Sequence, residues 1–151
     1  MIWSIISSKG VGNLYFVDGT MNSQQYLQVL RNELRPQLRR WYRKTEGFQF
    51  MHDGAPCHRA SAIKTYLETE KISVLDWPGN SPDMNPIENV WKVMKDQLAL
   101  QEVTTKAEMI AKIKYLWFNN KKIHETAING VKSMQERVQL LLKNKGMWTK
   151  Y

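Results

Sequence analysis

Apolar and polar positions alternate in short runs in some stretches of the chain and recur at helical spacing in others. Residues 1–8 (Met-Ile-Trp-Ser-Ile-Ile at their start) and 14–17 (Leu-Tyr-Phe-Val) read as two strands. Gly10-Val-Gly12-Asn13 between them is a turn signal, so a hairpin is expected. Asn22-x-x-Gln25 has the form of a capping box, opening a helix with Tyr26, Val29, Leu30 and Leu34 on one face. Pro36 is expected to kink or end that helix, although Leu38 and Trp41 keep the spacing. Phe48–His52 reads as a short strand ended by Asp53-Gly54. A helix follows from about Arg59 to Glu70, with Ala60, Ile63 and Leu67 aligned. Ile72–Trp77 is a further strand.

The Pro-rich loop from Pro78 to Asn85 leads into a helix at Pro86, where Asn85 can cap and proline suits the first helical position. Ile87, Val90, Trp91, Met94 and Leu98 form its apolar stripe. The tail is helical. Thr105-x-x-Glu108 and Ser133-x-x-Glu136 both have capping-box form, and Gly146 suits a helix end. Ile110, Ile113 and Trp117 line one tail helix; Met134, Val138, Leu141 and Leu142 line another. The element order is that of an α/β layer followed by helices.

At 151 residues and 42% hydrophobic, the chain can bury one real core and is no disordered tail. The single cysteine, Cys57, rules out an internal disulfide and a Cys-rich zinc site. It fits a reducing compartment, cytosol or nucleus. The apolar start is too short for a membrane span, so no membrane partner is expected.

Charge sharpens the picture through its distribution. Lys/Arg outnumber Asp/Glu seven to three in residues 1–50 and ten to four in residues 101–151, but trail them five to seven in residues 51–100. An acidic middle between basic flanks suits a polyanion partner, and a solvated basic surface is the plain alternative. Candidate phosphate contacts are Arg39, Arg40, Arg43, Lys44, Lys121 and Lys122. Trp77 and Trp91 read as core packing rather than base-stacking platforms.

Two carboxylates stand out. Asp53 lies where a strand runs out into a glycine turn, the end of a strand at which α/β sites tend to form. Glu88 lies in the first turn of the Pro86 helix, off its apolar stripe. Clustered carboxylates repel unless a divalent cation sits between them, and Mg²⁺ favours such oxygen donors. Plainer readings stay open: Asp53-Gly54 as a turn, Glu88 as a cap partner or an i+4 partner of Lys92. His52 and His58 flank Asp53 and read as ordinary hydrogen-bonded histidines.

Met51-His-Asp-Gly-Ala-Pro-Cys-His-Arg-Ala60 and Trp77-Pro-Gly-Asn-Ser-Pro-Asp-Met-Asn-Pro-Ile-Glu-Asn-Val-Trp91 closely resemble the motifs of mariner-superfamily DDE transposases. The 34 residues between Asp53 and Glu88 match the branch whose last acid is Glu. Met1-Ile-Trp-Ser, Val17-Asp-Gly-Thr-Met and Lys145–Tyr151 extend the likeness to nearly the whole chain. The resemblance implies a ribonuclease H-like mixed sheet flanked by helices, with its first strand missing and a helical tail. It implies one DDE catalytic domain over residues 1–151, truncated at its amino end and without helix-turn-helix readers. Asp53 and Glu88 become the second and third metal acids, holding Mg²⁺ or Mn²⁺, two ions in a complete site. The partners implied are transposon ends and target DNA, in the nucleus. The first acid is expected to be missing. Asp18, in the turn after the hairpin, is a weak stand-in. The isolated chain is therefore expected not to nick DNA, and an exposed strand edge would favour a homodimer. The alternative is a non-catalytic, transposon-derived module that binds nucleic acid or protein.

Overall fold

A computed structural model of the chain describes residues 1–42, 47–76 and 84–143. They fall into two compact units. The first comprises residues 1–4 and 13–81, the second residues 5–12 and 82–151.

Strands β1 (Ile2–Ser7) and β2 (Gly10–Phe16) pair as a hairpin. Its connection is two residues, Ser8-Lys9, rather than the expected Gly10–Asn13. Gly10 takes φ +115°, a conformation open to glycine, and already belongs to β2. Gly12 lies within the strand.

In the first unit, α1 (Ser23–Val29) opens with the expected capping box. Asn22 accepts from Gln25 N–H, and the Gln25 side chain takes the Asn22 N–H. The helical path does not stop at Pro36. A π turn (Leu30–Leu34) intervenes, and α2 (Arg35–Trp41) carries Pro36 in its first turn. Proline lacks the N–H for the helical ladder and its ring crowds the carbonyl four residues back. The wider turn, in which Arg35 N–H reaches Leu30 O, absorbs that conflict without breaking the helix. The helix α3 (Ser61–Thr69) packs on α1. Tyr26, Leu30, Leu34 and Ile63 are fully buried.

The strands expected at 48–52 and 72–77 reduce, among the described residues, to a parallel bridge between Phe50 and Val74. Phe50 N–H donates to Ser73 O and Leu75 N–H to Phe50 O, both at 2.8 Å. A parallel pair gains regularity from further neighbours, and no other described strand pairs with either segment. Trp77, residues 78–83, Arg43, Lys44, Gly146 and the Lys145–Tyr151 segment lie outside the described residues.

In the second unit, α4 (Pro86–Ala99) packs on α5 (Lys106–Asn119) and α6 (Lys121–Lys132), and α7 (Met134–Lys143) follows. Val90, Met94, Ile113, Leu116, Trp117, Ile123 and Ala127 make its core. Trp91 stacks on the buried Trp117 with ring centroids 5.2 Å apart, in keeping with core packing. Trp117 Nε1–H donates to Gly12 O at 2.8 Å, pinning β2 to this core. The Thr105 capping box forms as expected.

Two expectations for the tail fail. The Ser133 hydroxyl does not cap α7; it donates to Gly130 O and accepts from Arg137 Nε. The apolar stripe of α7 is not buried either. Val138 is 39% and Leu142 74% exposed, while Arg137 is the buried residue of the helix. Arg137 instead turns inward, to Ser133 Oγ and Asn89 Oδ1. The buried face of α6 is Ile123, Ala127 and Gly130, two of them small residues that give a weak apolar signal in sequence.

Candidate functional site

Asp53 stands three residues past the bridging Phe50, in a turn closed by its own side chain. Its Oδ1 accepts from Ala55 N–H at 3.0 Å. A 3₁₀ turn (Pro56–His58) follows, with proline at its start, and returns the chain so that His58 Nδ1 lies 2.7 Å from the same Oδ1. The Asp53 side chain is 60% exposed, and among the described residues its Oδ2 takes no hydrogen bond.

Beneath Asp53 lies an aromatic floor. The ring of buried Tyr26 sits 4.0 Å from that of His58, and His52 lies nearly parallel to His58 at 5.1 Å. The Tyr26 hydroxyl is 3.0 Å from His52 Nδ1. Burial, then the neighbouring His58, pushes the His52 imidazole down to about 4, so it is neutral near pH 7 and can accept from the phenol. Burial and the Asp53 charge push the Tyr26 hydroxyl well above its ordinary range. A cleft of about 510 Å³ opens beside Asp53, also lined by His52, His58, Arg59, Lys64 and Asp76. The two histidines are thus hydrogen-bonded, as read from sequence. The hold of His58 on Asp53, with His52 stacked on His58, emerges only in the structure. The signal for it was the Asp-x-Ala-Pro-x-His spacing, in which the proline turns the histidine back.

Glu88 belongs to the second unit and is described within it. The Asn85 side chain caps α4 by accepting from Ile87 N–H at 3.2 Å. Glu88 is exposed, and among the described residues its carboxylate completes no capping box and makes no ion pair with Lys92. Both plainer readings of Glu88 are therefore unrealised. The turn that carries it is firmly held. A Cβ on Gly130 of α6 would come within 3.1 Å of Pro86 Cβ, so any side chain there requires Pro86 to give by a few tenths of an ångström. Both terminal nitrogens of Arg137, which is 3% exposed, lie 3.3 Å from Asn89 Oδ1. A cleft of about 390 Å³ runs along this frame, lined by Asn89, Lys122, Glu125, Ser133 and Arg137 among others.

The donor chemistry of Asp53 and Glu88 fits a hard divalent cation: exposed carboxylates, each with oxygen not committed to a protein partner. Their number does not complete a two-ion set, since the described residues contain no group of three or more His, Cys, Asp or Glu placed to hold a metal. Asp18 is exposed in the bend after β2.

Of the basic candidates, Arg39 is exposed. Arg40 donates to Asn13 Oδ1 and to Gln37 Oε1, tying α2 to β2. Lys121 pairs loosely with Glu125 at 3.6 Å, largely in solvent. Lys122 is exposed at the mouth of the second cleft.

Comparison with known proteins decides the family. Residues 1–110 match the model of the DDE superfamily endonucleases. The chain belongs to that family. The Tc3 transposase of Caenorhabditis elegans is 34% identical to it over 149 residues, 97% of this chain and 44% of the relative. The chain spans about half the length of the curated relatives it matches. Among solved structures, the Mos1 transposase catalytic domain with raltegravir and Mg superposes with a TM-score of 0.86 at 27% identity, over 99% of this chain and 76% of that one. The Mos1 paired-end complex with the left transposon end gives 0.83 at 25% identity, over 97% and 44%. The mariner-superfamily resemblance and the ribonuclease H-like α/β fold are borne out. No helix among the described residues is long and apolar enough to cross a membrane.

Proposed function

We propose that this chain supplies the core of a transposase-type DNA endonuclease, with Asp53 and Glu88 as two of the carboxylates that hold Mg²⁺ or Mn²⁺. The observation that carries the reading is shared by both acids. Each occupies its motif position, is exposed, and has oxygen left free, while the turn beneath it is fixed by neighbours. A carboxylate kept solvated on a stiff mount, with an oxygen to spare, is ready for a ligand.

The residues divide the work. Ala55 N–H and His58 hold Oδ1 of Asp53, which orients Oδ2 outward. The Asn85 cap and the Gly130–Pro86 contact set the first turn of α4 and hence Glu88. A bound cation would supply charge neutralisation and activation of water or a 3′-hydroxyl for phosphoryl transfer. The partners in this reading are transposon ends and target DNA, engaged by a homodimer in the nucleus. The basic flanks, with Arg39 and Lys122 exposed, and the DNA-bound state of a structural neighbour support DNA as partner.

The test is Mn²⁺ uptake by the whole chain, followed by electron paramagnetic resonance, for wild type, Asp53→Ala and Glu88→Ala. Each substitution should weaken uptake, and any Mn²⁺-dependent plasmid nicking should vanish with it. Equal uptake by all three proteins would sink the reading. DNA binding that persists beside it would leave the non-catalytic module.

A further inference from the structure

Away from both carboxylates, the first unit holds a cluster that metal chemistry does not use. Tyr66 of α3 is 8% exposed, and its hydroxyl is buried without a hydrogen-bond partner. Native structures rarely leave such a group unmatched. Burial raises the phenol above its ordinary pKa, so it is a neutral donor with nothing to donate to.

Its surroundings are cationic. Arg31, in the π turn, places its guanidinium carbon 5.5 Å from the Tyr66 ring centroid, over the ring face. Arg35 pairs through Nε with Glu70 Oε2 at 2.6 Å. Arg39 acts electrostatically on the same hydroxyl. The three arginines recur every fourth residue along the α1–α2 path, so they share a face. Arg31 and Arg39 are exposed, and the Arg35 side chain is 42% exposed. Among the described residues Glu70 is the one carboxylate acting on the hydroxyl, and its charge is committed to Arg35. The cluster thus offers planar donor forks and a hydroxyl donor, with its one described carboxylate already paired.

We propose that Tyr66, Arg31, Arg35 and Arg39 form a phosphate-binding site that takes one phosphodiester of a DNA backbone. Guanidinium forks match pairs of phosphate oxygens, and the phenol supplies a further donor. Arg31 lies over the ring face as an exposed side chain, and the site requires the buried hydroxyl to become accessible as the phosphate enters. The contact reads no base; it sets register and orientation on the duplex. The inference rests on the DNA partner proposed above. It also gives Arg39, a candidate phosphate contact from its sequence, a defined setting.

The experiment is duplex binding by the whole chain, measured by fluorescence anisotropy across a salt series with EDTA present. Tyr66→Phe should fold with an unchanged or raised Tm, since it removes an unmatched hydroxyl, yet bind DNA about tenfold more weakly. Arg31→Gln should lower the slope of log affinity against log salt by about 0.9 for the lost phosphate contact. Glu70→Gln should strengthen binding. A Tyr66→Phe chain that binds like wild type overturns the site. If inorganic phosphate raises the Tm of wild type but not of Tyr66→Phe while DNA affinity is equal in both, the ligand is a free anion and the DNA assignment falls. Absence of DNA binding by wild type at low salt ends this inference and the DNA partner together. Normal Mn²⁺ uptake by Asp53→Ala and Glu88→Ala would instead end the metal reading and leave this site standing.

Discussion

Tyr26 shows how one side chain can serve packing and placement together. Its ring fills the first unit's core while its hydroxyl meets His52 and its face supports His58, which in turn holds Asp53. Tyr26→Phe keeps the ring and leaves His52 Nδ1 without its partner. Since an orphaned buried polar group costs about 1–3 kcal/mol, urea unfolding should show a loss of that order. An unchanged midpoint would mean that the hydrogen bond contributes nothing. The sequence displayed Tyr26 as a helical core position and His52 and His58 as flanking histidines. Their meeting needed α1 to pass under the Asp53 turn, and residue spacing carries no record of that.

At the scale of elements, the caps were legible and the helix partners were not. Asn22, Asn85 and Thr105 cap where their local patterns place them, because a cap depends only on the next three residues. Ser133 carries the same pattern, but Arg137 and Gly130 take its hydroxyl. Two predictions belong here. Gly130→Val would drive branched carbons against Pro86, whose nearest carbon lies 3.1 Å from where a Cβ would sit. Overpacking of this kind costs about 1–3 kcal/mol, so thermal unfolding should fall measurably. The same variant should weaken Mn²⁺ uptake if the frame positions Glu88; full stability would show that α6 can yield. The second concerns acid. Thr104 N–H, Thr104 Oγ1–H and Thr105 N–H all donate to Glu108 Oε2, and these bonds hold its carboxyl below the ordinary 4.5. A depressed folded value means that the contribution is complete above the unfolded pKa and is lost as pH falls through the folded one. Glu108→Gln can keep the cap without the titration. Its melting temperature should therefore fall less than wild type's between about pH 5 and about pH 3. Parallel curves would refute the link.

For the whole molecule, the decisive quantity is the distribution of its +8 net charge. Binding to duplex DNA should be indifferent to sequence and should weaken linearly in log affinity against log salt, through release of counterions. An affinity that ignores salt would remove the electrostatic basis for a DNA partner. The motifs holding Asp53 and Glu88 made the family legible from residues alone, and the ribonuclease H-like likeness followed with it.

The sequence by itself determined the family, the two candidate metal acids, the capped helix starts and the basic flanks. Each is written in residues close together in the chain or in a motif of fixed spacing. Only tertiary structure decided which polar groups meet across long separations. It gave Asp53 to His58 and an aromatic floor, fixed the turn beneath Glu88 through Gly130 and Arg137, and exposed the α7 stripe. It also left the Tyr66 hydroxyl unmatched among arginines. Asp53 and Glu88 were recognisable as candidate metal acids from their motifs. Whether their oxygens were free depended on which side chains the fold brought within hydrogen-bonding distance.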